Sequence, residues 1–561
     1  MERLKEKFQT ALDLTTKIDP VGTPYQSKYE AREILDEILT ELSEFNHSSA
    51  LVGGIYVALG IIDLEVEELS KGEVSLLKSI ELMCDVEQRD ETILQEIKAL
   101  NQLGILWCLR EDYEQALNFL KRASECYQQF VSQEEKIHLY ETLDLFTKEE
   151  TRPAFDEKES ALELLNTHTY YYLAQVYEKT GEASKSAECC YITLSKQLEL
   201  KQFQHLDWAT NASMLSQHYL ANEKYKTAKR HLIASSIMLE RYQLEMSLKE
   251  VSQEIEDERQ EMYLRCKADV SRTWARYCLL LLQRSMDKDV ERKQEENQLV
   301  DIADEAEETP DIHVDFPSIE NDPILDDIPD NYATNFEEAR AIFLPGQRFC
   351  KSAQDDYYKF EDHCVDYVDI QRDLSHMHKV LVYFEPDQSR KFKIHKRRID
   401  LLEPVYKELN VKLFTLLVRQ LMYEVAEVYS AMMDIKAETS QNNANKINSL
   451  VDSSMAAFKA YLGTLHTQEG KAPDKYPEDS LRPAMMAYFH LARLSDKYVT
   501  DNPQQKIKQK MQSFCYYKQI VDYCQLHPEA QVVLEHEFPI CQELVILLPR
   551  KIQKMQQELR G

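Results

Sequence analysis

The chain is 561 residues long, 43% hydrophobic, and carries 98 acids against 67 bases for a net charge of −31. That length suits about three or four ordinary domains or one long repeat array, and the charge repels nucleic acid and anionic lipid as general partners. No apolar run approaches the roughly 20 residues of a membrane span, so membrane insertion is not expected.

The N-terminal stretch MERLKEKFQTALDL is charged and amphipathic rather than the apolar core of an export signal, so the cytoplasm is the expected compartment. Glycine, at 11 residues, and proline, at 17, are both scarce for this length. Together with abundant Glu, Gln, Lys, Leu and Ala, that scarcity predicts a helical protein. The 12 cysteines are scattered without C-x-x-C spacing and are expected to be reduced, mostly core residues.

The first clear element runs through LGILWCLREDYEQALNFLKRASECY, residues 103–127. Small residues recur at Gly104, Ala116 and Ala123, with Leu103, Trp107 and Leu120 beside them. Such spacing fits a helical hairpin whose backbones approach closely, because a large side chain at a crossing point would wedge the helices apart. Tetratricopeptide repeats place small residues at positions 8, 20 and 27 and large ones at 7, 11 and 24, and this stretch matches at each.

The same register holds at Tyr56, Leu59, Gly60, Gly72, Leu76 and Ser79, where Asp63 takes the aromatic position. It returns at Tyr170, Leu173, Ala174, Tyr177, Ser186 and Thr193, and at Leu215, Ser216, Tyr219, Ala228, Leu232 and Ser235. The anchors Gly60, Gly104, Ala174 and Ser216 are 44, 70 and 42 residues apart, which predicts helices longer than consensus and an insertion near residues 137–160.

From Ile237 to Gln283 the pattern stays helical, as one long scaffold helix or as two joined at a kink. Asp287 to Asp330 then carries 17 acids against three bases with four prolines, a composition expected to form a solvated linker or a contact for a basic partner. Helix resumes with Asn335 as an N-cap. Weaker echoes of the repeat follow at Val425, Ala426 and Tyr429 and at Tyr488, Leu491 and Ala492. The expected organisation is an N-terminal array over 1–284, an acidic flexible linker over 285–332 and a C-terminal array over 333–561. The fold class is all-α, a right-handed α-solenoid of divergent hairpins in two halves joined by a long helix and an acidic loop.

Motifs for chemistry are missing: no phosphate loop, dinucleotide fingerprint, nucleophile elbow, zincin motif or EF-hand loop occurs. His363, His376 and His378, with Cys364 nearby, do not share a helix face and read as surface residues rather than metal ligands. The run RKFKIHKRRID, 390–400, reads as a solvated helix face pairing with acids elsewhere, with nuclear import or nucleic-acid contact as the alternative. No enzyme activity, cofactor or metal is expected. Tyr172 and Gln175 lie three apart on an inner-type helix, with Gln197 and Gln217 in comparable polar slots nearby. They suit a groove that offers area and hydrogen bonds without charge, or are ordinary half-exposed residues.

Six blocks together resemble the kinesin-binding protein family of tetratricopeptide-like motor regulators. They are NQLGILW (101–107), YYLAQVY (171–177), KIHKRRIDLLEP (393–404), KINSL (446–450), LRPAM (481–485) and YKQIVDYCQLHPEA (517–530). The resemblance implies a non-catalytic, cytoplasmic and cytoskeleton-associated protein whose concave surface binds kinesin motor domains and blocks their microtubule attachment. It also implies roles in mitochondrial and vesicle transport and in axon growth. Carried onto matching positions, it nominates Tyr172, Gln175, Gln197, Met214 and Gln217 as partner-binding residues. Met214 stands where a family member carries a polar residue, which bears on partner range. The partner's expected surface is basic, complementing this acidic chain, which is expected to be monomeric. The alternative reading is a general scaffold or cochaperone for peptide tails, which would need a basic clamp that the helices from Tyr56 to Ser235 do not display.

Overall fold

The computed structural model describes residues 1–20, 22–43, 48–84, 91–132, 139–147, 159–248, 252–298, 316–319, 322–439, 443–466 and 471–559. Among these there are 21 α-helices, one 3-10 turn and no strand, so the all-α expectation holds. Two compact units partition the chain: unit 1 is Met1–Glu256 with Pro310–Asp322, and unit 2 is Asp257–Thr309 with Pro323–Gly561.

Unit 1 is a series of hairpins in which neighbouring helices pair. They are α1 (Glu2–Thr15) with α2 (Gln26–Ser43), α3 (Ser49–Glu65) with α4 (Leu69–Cys84), α5 (Ile93–Leu109) with α6 (Tyr113–Val131), α7 (Glu159–Lys179) with α8 (Ala183–Leu200), and α9 (His205–Ala221) with α10 (Tyr225–Leu248). The small-residue register explains the pairing atom by atom. A Cβ added at Gly104 would lie 2.6 Å from Leu120, and one at Gly60 would lie 2.5 Å from Leu76, so position 24 of each repeat fills the space that position 8 leaves open. At the third repeat the Ser186 hydroxyl donates to the Ala174 carbonyl at 2.9 Å, and at the fourth the Ser235 hydroxyl donates to the Ala209 carbonyl at 2.7 Å.

The turns repeat as well. In the four hairpins from α3 to α10 the position-11 carbonyl accepts a backbone N–H five residues on: Glu68 to Asp63, Asp112 to Trp107, Glu182 to Tyr177 and Lys224 to Tyr219, at 2.8–3.0 Å. The residue before each donor is left-handed: Glu67, Glu111, Gly181 and Glu223, with φ between 58° and 78°. This six-to-one closure satisfies carbonyls that a helix end otherwise leaves open. It keeps 12 residues between positions 8 and 20, as in Gly104 and Ala116. Asp63, the exception to the aromatic pattern, is buried and lies 3.4 Å from Arg32.

Unit 2 contains most of α11 (Gln253–Gln298), the short α12 (Pro323–Asp326), then α13 (Phe336–Asp356), α14 (Cys364–Phe384), α15 (Gln388–Glu408), α16 (Thr415–Thr439), α17 (Ala444–Gly463), α18 (Glu478–Lys497), α19 (Pro503–Leu526), α20 (Glu529–Val533) and α21 (Glu537–Glu558). From α13 to α19 each helix packs on the next, around a core centred on residues such as Phe458, Leu421 and Leu491. The Asn335 side chain caps α13 as expected, accepting from the N–H groups of Glu337 and Glu338 at 3.1 Å. Ala426 repeats the small-residue contact, accepting from the Ser454 hydroxyl at 2.7 Å.

The long helical stretch from Ile237 resolves into two helices, α10 and α11, with 249–251 outside the described residues. The 284/285 boundary drawn from composition falls inside α11. Of the acidic segment 285–332, residues 299–315, 320 and 321 lie outside the described residues, as do 133–138 and 148–158 of the insertion. Phe316 is buried in unit 1, its ring 5.2 Å from Trp208, 5.6 Å from Tyr191 and 5.3 Å from His231. Leu139, Leu145 and Phe146, between the two undescribed pieces of the insertion, are buried too.

Two surface expectations are corrected. His378 is 2% exposed, donating from Nδ1 to the Leu374 carbonyl at 2.8 Å and packing on Phe343, because α14 is covered on that side. The basic run 390–400 pairs with an acid elsewhere as expected, Arg398 with Glu424 at 3.0 Å, but it is only partly solvated: Arg398 is 5% exposed and His395 is buried beside it. All 12 cysteines are free, six of them buried, and burial pushes the thiols of Cys189, Cys350 and Cys541 up to about 12.

Candidate partner-binding face

Four of the five nominated residues lie on α7 and α9, the first helices of consecutive hairpins in unit 1. Repeat stacking directs first helices to one side of an array. On α7 the buried positions Thr169, Leu173, Ala174, Val176 and Tyr177 face the core, which leaves His168, Tyr171 and Gln175 exposed and Tyr172 half-buried. On α9, Ala212, Ser213, Leu215, Ser216 and Tyr219 are buried, which leaves Asn211, Met214 and Gln217 exposed. Both stripes follow the three- and four-residue spacing of one helix face.

Gln197 stands apart from these four. It is half-buried on the last turn of α8, a second helix, where its carbonyl accepts the Gln202 N–H at 3.1 Å around left-handed Lys201. Its backbone serves the helix end while its side-chain amide stays unpaired among the described residues. Sequence spacing could not separate these two kinds of slot, since both are polar gaps in an apolar pattern.

The chemistry of the strip is neutral. Between His168 and Gln175 on α7, and between Asn211 and Gln217 on α9, no Asp, Glu, Lys or Arg occurs. Met214 is 62% exposed and Tyr171 is 44% exposed, so both offer apolar surface to solvent. Tyr171 and Tyr172 meet edge to face at 5.3 Å, and Tyr172 also packs on the buried cluster that contains Ala116, Leu120 and Leu173. Burial pushes the Tyr172 phenol above its ordinary range, so it stays protonated and able to donate at neutral pH. The side-chain amides of Gln175 and Gln217 form no hydrogen bond among the described residues, leaving donors and acceptors for a partner. Surfaces depleted of charge and enriched in Tyr and Met are typical of interface centres.

No group of three potential metal ligands occurs among the described residues, and none of their helices is long and apolar enough to cross a membrane. The strip offers flat aromatic area at Tyr171 and Tyr172, a flexible thioether at Met214 and side-chain amides at Gln175 and Gln217.

Comparison with known proteins gives this strip its context. Residues 206–555 match the family model described as KIF-1 binding protein C terminal. A relative named KIF-binding protein from Danio rerio is 33% identical, over 99% of this chain and 97% of its own length. That from Homo sapiens is 31% identical, over 99% and 98% respectively. Among solved structures, one titled "Kinesin binding protein (KBP)" matches with a TM-score of 0.64 at 29% identity, covering 97% of this chain and 98% of that one. A second, titled "Cryo-EM map of KIFBP", matches with a TM-score of 0.67 at 26% identity, covering 100% and 99%. With full-length relatives above 30% identity and a family model spanning more than half its residues, this chain belongs to the KIF-binding protein family.

Proposed function

We propose that this protein binds kinesin motor domains without catalysing a reaction, covers their microtubule-engaging side, and so regulates microtubule-based transport in the cytoplasm. The observation that carries the reading is the uncharged Tyr–Gln–Met strip of α7 and α9 on a strongly acidic chain. A motor that grips acidic tubulin does so through a basic surface. A protein of net charge −31 is steered to the same surface, and steering of this kind raises encounter rates more than final affinity. The neutral strip then supplies what charge does not: Tyr172 and Met214 bury area, and Gln175 and Gln217 fix orientation through hydrogen bonds. Gln197 joins them from the edge of α8. The protein acts as a monomer, one chain to one motor.

The test is microtubule co-sedimentation of a panel of purified kinesin motor domains with and without this protein at physiological salt. Susceptible motors move to the supernatant in a stable complex, and the Tyr172→Ala/Gln217→Ala variant weakens that complex by about tenfold to a hundredfold, as loss of central interface residues does. Motors that all stay on microtubules, with no complex formed, would sink the reading.

A further inference from the structure

Unit 2 contains a cleft of about 980 Å³ whose chemistry is opposite to that of the neutral strip. Its walls come mainly from α11, α14, α16 and α18, and they hold seven arginines and lysines against five acids in a chain where acids dominate. Three of the acids, Asp373, Glu427 and Asp479, are in no ion pair among the described residues. The cations differ in how far they are already used. Arg398 is buried against Glu424 and Ser375, and Arg272 pairs with Asp366 at 2.6 Å. Arg482 is held by Glu537 and the Val533 carbonyl. Arg419 is held only by neutral Thr464, through its hydroxyl at 2.9 Å and its carbonyl at 2.6 Å, so its charge is oriented but not cancelled. Arg276 and Lys379 are exposed and form no ion pair among the described residues. Arg372 lies 3.9 Å from Asp369, and its Nε is buried with no hydrogen-bond partner.

The floor is apolar and aromatic. Tyr423 stands edge-on to Phe458 and Tyr461 at 5.4 and 5.3 Å, and Leu416, 72% exposed, sits at the lip with Met486 and Pro483 near by. We propose that this cleft binds an acidic peptide segment with interspersed apolar side chains, its carboxylates on Arg276, Lys379 and Arg419 and its apolar groups on Tyr423 and Leu416. A compact polyphosphate suits the site less well. It would leave Leu416 and the aromatic floor bare and meet Asp373, Glu427 and Asp479 at close range, whereas a peptide can turn backbone N–H groups to those carboxylates.

Desolvation reinforces the choice of sign. Burial already pushes the carboxyls of Asp373 and Glu427 upward, so covering the cleft weakens its negative charge, while the arginines cannot give up theirs. The inference goes beyond motor binding by unit 1 and does not depend on it.

The experiment is fluorescence polarisation with the full chain and a fluorescein-labelled peptide of Glu, Asp and Leu, about twelve residues long, a length suited to groove recognition. The expected result is binding that weakens at least about tenfold in Arg276→Glu/Lys379→Glu and persists in Lys351→Glu/Lys359→Glu, an equal charge change outside the cleft. All four residues are exposed. Because Arg276 and Lys379 offset Asp373 and Glu427, the neutral Arg276→Gln/Lys379→Gln variant separates lost charge from lost folding. It should keep the parent unfolding temperature and still lose peptide affinity, and Tyr172→Ala should retain full peptide affinity. Three outcomes would overturn the proposal: no binding, equal losses in the two double variants, or binding of inositol hexakisphosphate or a uridine oligonucleotide in place of the peptide.

Discussion

The two units solve the same packing problem with different ends to their hairpins. Every positive-φ residue among the described ones lies in unit 1: Tyr25, Glu67, Glu111, Gly181, Lys201 and Glu223. Three helices of unit 2 instead end on extended residues, Glu385, Leu409 and Tyr498, and three begin at the side-chain caps Asn335, Asp387 and Asn502, a device unit 1 shares at Asp112. A six-to-one turn has one length, so unit 1 keeps its small residues 12 apart. Extended connections have no such fixed length, and the hydroxyl contact that unit 2 shares with unit 1 runs from Ala426 to Ser454, 28 residues on, against 26 from Ala209 to Ser235. Close approach at small residues is thus common to both units, and the constant spacing belongs to the turn.

The sharpest way to break this comparison is in the buried charge of unit 2. Arg398→Met leaves Glu424 without its cation, which should cost unit 2 about 3 kcal/mol, read as a lower urea midpoint and as lost hydrogen-exchange protection in α14 to α16. Adding Glu424→Leu should recover most of that loss. If the single variant costs under about 0.5 kcal/mol, the pair is a surface-type contact.

Acidification should separate the units next. Burial lowers the imidazoles of His378, His395 and His490 in unit 2 to about 4, against His231 alone at that value in unit 1. A histidine depressed in the fold contributes stability fully present above its ordinary value near 6.5 and lost as pH falls towards 4. At pH 5.5 each buried histidine should therefore cost about 1 kcal/mol relative to pH 7.5, and unit 2 should lose protection first. Trp274 in unit 2, against Trp107 and Trp208 in unit 1, allows the two to be followed by fluorescence in tryptophan-to-phenylalanine variants. Simultaneous loss in both units would contradict the assignment.

The smallest effect sharpens the turn argument. A left-handed residue with a Cβ is strained by about 1 kcal/mol, so Glu67→Gly, Glu111→Gly and Glu223→Gly should each stabilise unit 1 by about 0.5–1 kcal/mol. Gly181→Ala should do the reverse, and the thermal midpoints of the four variants decide it.

What could be read before the structure follows the same division. Gly60 and Gly104 were legible because a missing side chain at a fixed offset has one mechanical meaning, and the N-cap at Asn335 because its chemistry is local. Burial of Arg398 and His378 was not legible, since a charged or titratable residue reads as solvent-facing until a neighbouring helix is known to cover it. The cleft was hidden for a related reason. Its charges follow helical spacing on single helices, as at Arg272 and Arg276 or Leu416, Arg419, Tyr423 and Glu427, yet each stripe alone resembles an ordinary wet face. Of the nominated residues, Tyr172, Gln175, Met214 and Gln217 lie on outward stripes of first helices, while Gln197 sits at a helix end that polarity alone did not distinguish.

The packing of Phe316 in unit 1 has a consequence for taking the molecule apart. Severing the chain between Glu256 and Asp257 leaves the first fragment without Phe316, the ring that fills the space among Tyr191, Trp208 and His231. The missing piece travels with the other fragment. The two fragments should consequently be interdependent when expressed separately, the first regaining its aromatic packing only when the second is supplied, as in fragment complementation.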